Sequence, residues 1–392
     1  MREDEYLSAE QAAAYLGVSR RTLYAYVSRG RIVSEPDYRS GRRAHRYPRA
    51  MLVAFHEGRE RRRDTALKAL GALSAGAPVL ESKLTLIADG RLWYRGRDAC
   101  ELSRTSTFEA VASLLWTGTS EHGAYFPSSP SQEAAAREGS IADRLFARLV
   151  EARSEPAVTI SNASAATLRA SARTARALFD AAGALGSGRL AERLARGWGA
   201  ADAGLIDAAL ILCADHELNA SSFTARCVAA TDAPMHDVLL AALCALEGRR
   251  HGGISNRVEA LLRDAERDGS RRAFDRALEA EGWPPGFGDF QGFYPDGDPR
   301  ARELLGRLAP PPASPAAELC ALAEAELGVH PTIDFALGAV ARAASLPDGS
   351  AFGLFALGRS AGWIAHALEA AADGTLIRPR ARYTGPPPDT AR

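Results

Sequence analysis

From about residue 97 almost to the C-terminus, apolar residues recur at three- and four-residue intervals, and this helical periodicity restricts the fold more than any other feature of the chain. The repeating positions are chiefly Ala and Leu. Hydrophobic residues make up 46% of the chain but aromatics only 7%, a balance suited to helices packed on helices rather than to aromatic-rich strands. A mainly all-α body is therefore expected, interrupted by Pro/Ser loops at Tyr125 to Gln132 and Ala309 to Pro315. At 392 residues the chain exceeds what one core fills, so one small module plus one large body is the expected plan.

The small module is read from the first 64 residues. Ser8 with Gln11 makes a capping-box pattern ahead of a helix over Ala9 to Leu16, and Ser19 can cap a second helix that Gly30 closes. Leu23, Tyr24 and Val27 mark the buried stripe of that second helix, leaving Arg20, Arg21, Thr22 and Tyr26 near its exposed face. Arg31 to Val33 and His45 to Tyr47 read as strands of a hairpin around a basic loop, and Pro48 suits the start of a third helix through Met51, Leu52 and Phe55. Between Arg20 and Arg49 there are nine arginines against Glu35 and Asp37, a local excess of seven positive charges on a chain whose formal net charge is zero. The pattern resembles winged helix-turn-helix modules of the MerR and excisionase type. That resemblance implies DNA contact, with the second helix in the major groove and the wing arginines Arg42, Arg43 and Arg46 on phosphates. The alternative is a solvated basic face, or a docking element.

Residues 65–83 read as a connector. LTLIADGRLWYRG, starting at Leu84, suggests a hairpin turning at Asp89-Gly90. The five cysteines, Cys100, Cys213, Cys227, Cys244 and Cys320, lack paired metal-ligand spacing and fit a reducing cytoplasm, so no metal is expected. No basic-then-apolar leader opens the chain, and no run reaches the roughly 18 apolar residues that span a bilayer, so a cytoplasmic protein without a membrane partner is expected.

Beyond the hairpin, ADHELNAS around His216, HGG at His251, then GFYPDGDPRARELL, TIDFALG, GRSAGWIAHALE and RPRARYTG follow one another. In this order they resemble citrate synthases, over roughly Leu84 to Gly385. The resemblance implies a homodimeric, all-helical core with a large and a small domain, the latter at approximately 253–345; the Pro-rich tail at 386–392 reads as frayed. It implies Asp334 as the base that takes a methyl proton from an acyl-CoA thioester, and His251 as the donor to the thioester carbonyl. A carbon acid beside a thioester is so weak that a carboxylate deprotonates it only when the developing oxyanion is stabilised at the same moment. The electrophile would be a 2-oxo dicarboxylate, oxaloacetate in the family's usual case. His216, Arg300, Arg359 and Arg378 would hold its carboxylates, with Arg378 reaching in from the second subunit. Guanidinium forks match carboxylates bidentately, which favours arginine over lysine there.

The chain departs from the family pattern ahead of DPRA, where a histidine of GFGH is expected to polarise the oxaloacetate carbonyl. Here the segment reads GFGDFQGFYPDGDPRA. Counted back from Asp298, Gln291 takes the histidine's place; counted forward from Gly286, Asp289 does. Gln291 can donate a hydrogen bond but cannot hand over a proton at neutral pH, and losing a general acid costs about 10²- to 10⁴-fold in rate. Ser255 and Asn256 replace the Asn and Glu of HGGANE, and Leu337 stands where serine is usual. The leading expectation is a Claisen-type condensation of acetyl-CoA or propionyl-CoA with oxaloacetate, giving citrate or 2-methylcitrate and CoA without metal or prosthetic group. The alternative is a DNA-binding regulator whose degenerate synthase body senses a dicarboxylate or acyl-CoA.

Overall fold

The computed structural model describes residues 6–18, 20–28, 32–37, 44–53, 55, 80–120, 125–126, 138–155, 160, 164–281, 283–288, 292–381 and 383–386. Met1–Glu81 and Ser82–Arg392 form two compact units, each with its own core.

In the first unit Ser8 accepts the Gln11 N–H at 3.2 Å and the Gln11 side chain accepts the Ser8 N–H at 2.9 Å, so the capping box starts the helix Ala9–Tyr15 as expected. The second helix is Arg20–Ser28. Its buried stripe corrects the sequence reading. Leu23 is fully buried, while Tyr26 packs its ring 5.1 Å from Phe55 and borders the core, and Tyr24 is 47% exposed. Leu23, Tyr26 and Val27 lie at i, i+3 and i+4 on one face, and Tyr24 sits a hundred degrees round from Leu23, on the side where Arg20 donates to its hydroxyl at 3.2 Å. Tyr26 is therefore half-buried against the core rather than standing on a fully exposed face. The side chains of Arg21 and Thr22 lie outside the described residues, as do Arg42 and Arg43.

The hairpin also differs from expectation. Ile32 is buried in the core instead of running in a strand, and the strand is Glu35–Asp37, antiparallel to Ala44–Pro48 with Glu35 opposite Arg46. Tyr6–Ser8 pairs with the other edge of Ala44–Pro48, completing a three-stranded sheet. An ion pair of 3.0 Å between Arg46 and Glu35 fits this register, and Pro36, lacking an N–H, is tolerated because its strand is an edge. Arg46 is thereby engaged within the module, its guanidinium 4.1 Å from the Tyr6 ring centroid. Residues 49–53 are helical, with Leu52 in the core.

The second unit opens with the expected hairpin. Strands Thr85–Ala88 and Arg91–Tyr94 turn at Asp89 (φ 53°) and Gly90 (φ 68°), and Arg97–Asp98 adds a third strand. Helices follow. The 24-residue helix Ser350–Asp373 is buried nearly all round and is the axis of the larger core. A second core, with Phe274, Phe287 and Phe335 at its centre, is built by Ile254–Asp268, Ser270–Glu281, Pro315–Leu327 and Ile333–Ala343. All five cysteines are free thiols. Among the described residues no helix is long and apolar enough to cross a membrane. The connector at 65–79 and the tail at 387–392 lie outside the described residues.

Candidate active site

The site begins with glycines on the central helix. A Cβ on Gly358 would come within 2.5 Å of the Leu210 carbonyl oxygen, and one on Gly362 within 2.4 Å of that of Ala214. Their absence lets the chain from Leu210 to Asp215 lie directly against the helix, where Gly362 N–H donates to Ala214 at 2.9 Å and Arg359 Nε to Cys213 at 2.7 Å. Arg359 and His216 are thus brought together from 143 positions apart in GRSAGW and ADHE. Arg359 is 1% exposed, burial lowers its pKa, and its Nη1 has no hydrogen-bond partner among the described residues. A buried cation with an unsatisfied donor is costly unless an anion meets it.

The HGG turn is equally tight. A Cβ on Gly253 would sit 2.4 Å from the Glu247 carbonyl oxygen, so the chain folds back on the end of helix Met235–Glu247 before starting Ile254–Asp268. This holds His251, whose Nε2 lies 2.9 Å from Ser221 Oγ and 3.2 Å from Asn219 Oδ1. Trp363 Nε1–H donates to the same Ser221 oxygen at 3.1 Å. Asn219 also caps helix Ala220–Ala229, accepting from the N–H groups of Ser221 and Ser222 at 3.1 Å each, which fixes the orientation of its amide. Burial, with Arg359 adding to it, pushes the His251 pKa down to about 3, so the imidazole is neutral at pH 7.

Asp334 stands in the first turn of Ile333–Ala343. Its Oδ1 accepts from the fully buried Ser255 hydroxyl at 2.7 Å. Burial raises its pKa to about 6 against the lowering effect of that bond. Behind it Asp298 caps helix Pro299–Leu308, accepts the Ile333 N–H at 3.0 Å, and takes both Nε and Nη2 of Arg300 at 2.9 and 2.8 Å. Asp298 therefore takes two of the five N–H donors of Arg300, which leaves Nη1 and the second N–H of Nη2 for any other anion.

A cleft of about 470 Å³ gathers these groups: His216, His251, Asp334, Arg300 and Arg359 all line it. Burial, Arg300 and Arg359 hold His216 well below the ordinary histidine pKa. Gln291, like Asp289, lies outside the described residues. Arg378 follows the central helix on an exposed extended segment and does not line the cleft of its own chain. Sequence reasoning missed four members. Tyr294, 5% exposed, places its hydroxyl 2.9 Å from His216 Nε2; Ser255 holds Asp334; and Asn219 with Ser221 holds His251. Ser255 had served only as a departure from pattern. A weakly basic carboxylate, a neutral imidazole and a buried unsatisfied guanidinium facing one cleft can remove a proton from carbon, stabilise the resulting oxyanion and hold a carboxylate.

The citrate synthase C-terminal domain model matches residues 151–380. The chain belongs to the citrate synthase family. A helix-turn-helix domain model matches residues 6–60. "Putative citrate synthase 2" of Mycobacterium tuberculosis is 37% identical over 194 residues, 47% of this chain and 52% of that protein. "Citrate synthase 2" of Bacillus subtilis is 36% identical over 187 residues, 45% and 50% of the two chains, and "2-methylcitrate synthase 2" of Corynebacterium glutamicum 31% over 194 residues, 47% and 50%. The chain thus spans about half the length of the curated relatives it matches. Among solved structures, citrate synthase from Thermotoga maritima superposes with a TM-score of 0.63 at 24% identity, covering 80% of this chain and 95% of that one. The Thermoplasma acidophilum enzyme, solved with carboxymethyl coenzyme A and oxaloacetate, gives 0.65 at 23% identity, covering 82% and 98%. At these identities the likeness is one of fold: a mainly helical citrate synthase-like body in a chain that also carries a small helix-turn-helix module.

Proposed function

We propose that the protein condenses an acyl-CoA thioester with a 2-oxo dicarboxylate, oxaloacetate first among them, by a Claisen-type reaction that releases CoA. The observation that carries this reading is the meeting of Asp334 and His251 in one cleft with the unsatisfied guanidinium of Arg359. Asp334, its pKa near 6, is ionised at neutral pH yet more basic than an ordinary carboxylate, as suits the abstraction of a methyl proton. Neutral His251, in the tautomer whose Nε2 accepts the Ser221 hydroxyl proton, donates its Nδ1–H to the enolate oxygen, and Arg359 with His216 holds the dicarboxylate. Exclusion of water by closure of the cleft then protects the thioester until the carbon–carbon bond has formed. No metal or prosthetic group enters these steps. In a homodimer, Arg378 on its exposed segment completes the partner's site. Acetyl-CoA and propionyl-CoA are the candidate thioesters, giving citrate or 2-methylcitrate. The test is oxaloacetate-dependent release of free thiol from each. Turnover that falls about 10³-fold or more in Asp334→Asn is expected, and turnover that survives the substitution sinks the reading.

The helix-turn-helix module favours a second reading, a DNA-binding regulator whose body senses a dicarboxylate or acyl-CoA. It predicts binding of oxaloacetate without turnover, and binding to duplex DNA that weakens steeply as salt rises. Arg20, exposed at the start of the second helix, is the described arginine placed for such contact.

A further inference from the structure

His216 enters the cleft from a short loop between helices Ala203–Leu212 and Ala220–Ala229, and both of its neighbours in the chain are acidic. Asp215 is fully buried and Glu217 half-buried, yet neither lines the cleft. Both carboxylates turn instead to the opening hairpin of this unit, 130 positions earlier in the chain. The Thr85 hydroxyl donates to Asp215 Oδ2 at 2.6 Å, and the Ile87 N–H donates to Glu217 Oε1 at 2.9 Å. Tyr94, the cross-strand partner of Thr85, adds a third hold: its buried hydroxyl oxygen accepts the Asp215 N–H at 3.3 Å and lies 3.0 Å from the Ile211 carbonyl oxygen. Cross-strand partners share a face, so one face of the hairpin reaches the loop with both hydroxyls. The other Asp215 oxygen has only longer contacts, with Ser222 Oγ at 3.4 Å and His366 Nε2 at 3.3 Å. Glu217 takes φ 50°, a left-handed backbone that costs a non-glycine residue energy and persists only where its surroundings enforce it.

We propose that Thr85 and Glu217 are positioning residues for His216: the hairpin holds the two carboxylates that flank it and so fixes how its imidazole enters the cleft. The inference rests on the reading of His216 as a ligand to the dicarboxylate. A ring set by its backbone before the substrate arrives loses little freedom on binding, so more of its contact is realised as affinity. Removal of the Thr85 donor leaves a fully buried carboxylate short of its closest hydrogen bond. Asp215 then moves towards Ser222 and His366, and His216 moves with it. Removal of the Glu217 carboxylate releases the bond that holds the left-handed turn, and the backbone just after His216 relaxes. Neither change touches Asp334 or His251, so the handling of the thioester is left in place.

The test uses the full chain with Thr85→Val, Thr85→Ser and Glu217→Ala. Oxaloacetate affinity is read by calorimetry, and CoA release gives kcat and the KM for acyl-CoA. The ring ¹H–¹⁵N signals of His216, assigned by their loss in His216→Gln, are read in ligand-free protein. Thr85→Val and Glu217→Ala should each weaken oxaloacetate binding about 10-fold and shift the His216 signals, with the KM for acyl-CoA within a few-fold of native. Thr85→Ser, which keeps the hydroxyl, should restore both. Glu217 is half-buried, so Glu217→Ala still reports if Thr85→Val fails to fold. Native affinity and native ring signals in the variants, whatever their denaturation midpoints, would mean that the hairpin only stabilises the body, and would overturn the proposal. If the native protein binds oxaloacetate but releases no CoA, the condensing reading fails, and affinity and ring signals still decide the positioning role. If it binds no oxaloacetate, the ring signals alone decide: shifted they support the role, unshifted they overturn it.

Discussion

Asp334 receives the Ser255 hydroxyl at 2.7 Å, a bond that lowers a pKa which burial otherwise raises to about 6. Ser255→Ala removes the lowering effect only. The base must be ionised to act, so the acid limb of the kcat/KM profile should move to higher pH by about one to two units, the worth of one hydrogen bond to a charged group. Rates at pH 6 should fall more than rates at pH 8, and a limb that stays in place contradicts the role given to Ser255. Nothing local to HGGISN announces this contact, because Asp334 lies 79 residues further on. The same holds for Tyr294 and His216, 78 residues apart, whereas Asp334 and His251 were legible because each sits inside a short motif. The pairing of Arg46 with Glu35 was hidden for a related reason: charge is visible in the sequence, but its partner is not.

Local elements were legible wherever a few neighbouring residues decide them. The capping box at Ser8 and Gln11 and the turn at Asp89-Gly90 both form as read, since each depends on hydrogen bonds or backbone angles within four residues. The strand expected at Arg31 to Val33 moved to Glu35–Asp37, because pairing register is set by partners far along the chain and by Ile32 entering the core. Glycine spacing in GRSAGW carries an element-scale meaning that only packing reveals. Gly362→Ala would drive a methyl to 2.4 Å from the Ala214 carbonyl oxygen, a backbone atom with little freedom to move. A loss of about 1–3 kcal/mol is expected, read as a lower denaturation midpoint, together with weaker oxaloacetate binding as segment Leu210 to Asp215 shifts away from Arg359. A midpoint equal to the native one would show that the helix and this segment are not in contact as described.

At the scale of the whole molecule, the family membership and the mainly helical body followed from motif order and periodicity, while the completeness of the site did not. Arg378 lies away from the cleft of its own chain, on an exposed segment beyond the central helix. If a second subunit supplies it, Arg378→Ala and Asp334→Asn, each inactive alone, should complement when unfolded and refolded together. Random pairing makes half the dimers mixed, each with one intact site, so about a quarter of native activity is expected. No recovery would place Arg378 outside the site. The most direct measurement of the account's central claim is the fate of the methyl carbon: incubate [2-¹³C]acetyl-CoA and oxaloacetate with the native protein and with Asp334→Asn, and follow the label by NMR. The account predicts that the label appears in the methylene of a tricarboxylic acid with the native protein and stays in the thioester methyl with Asp334→Asn. Label that remains in the thioester with the native protein, or emerges only as acetate, would contradict it.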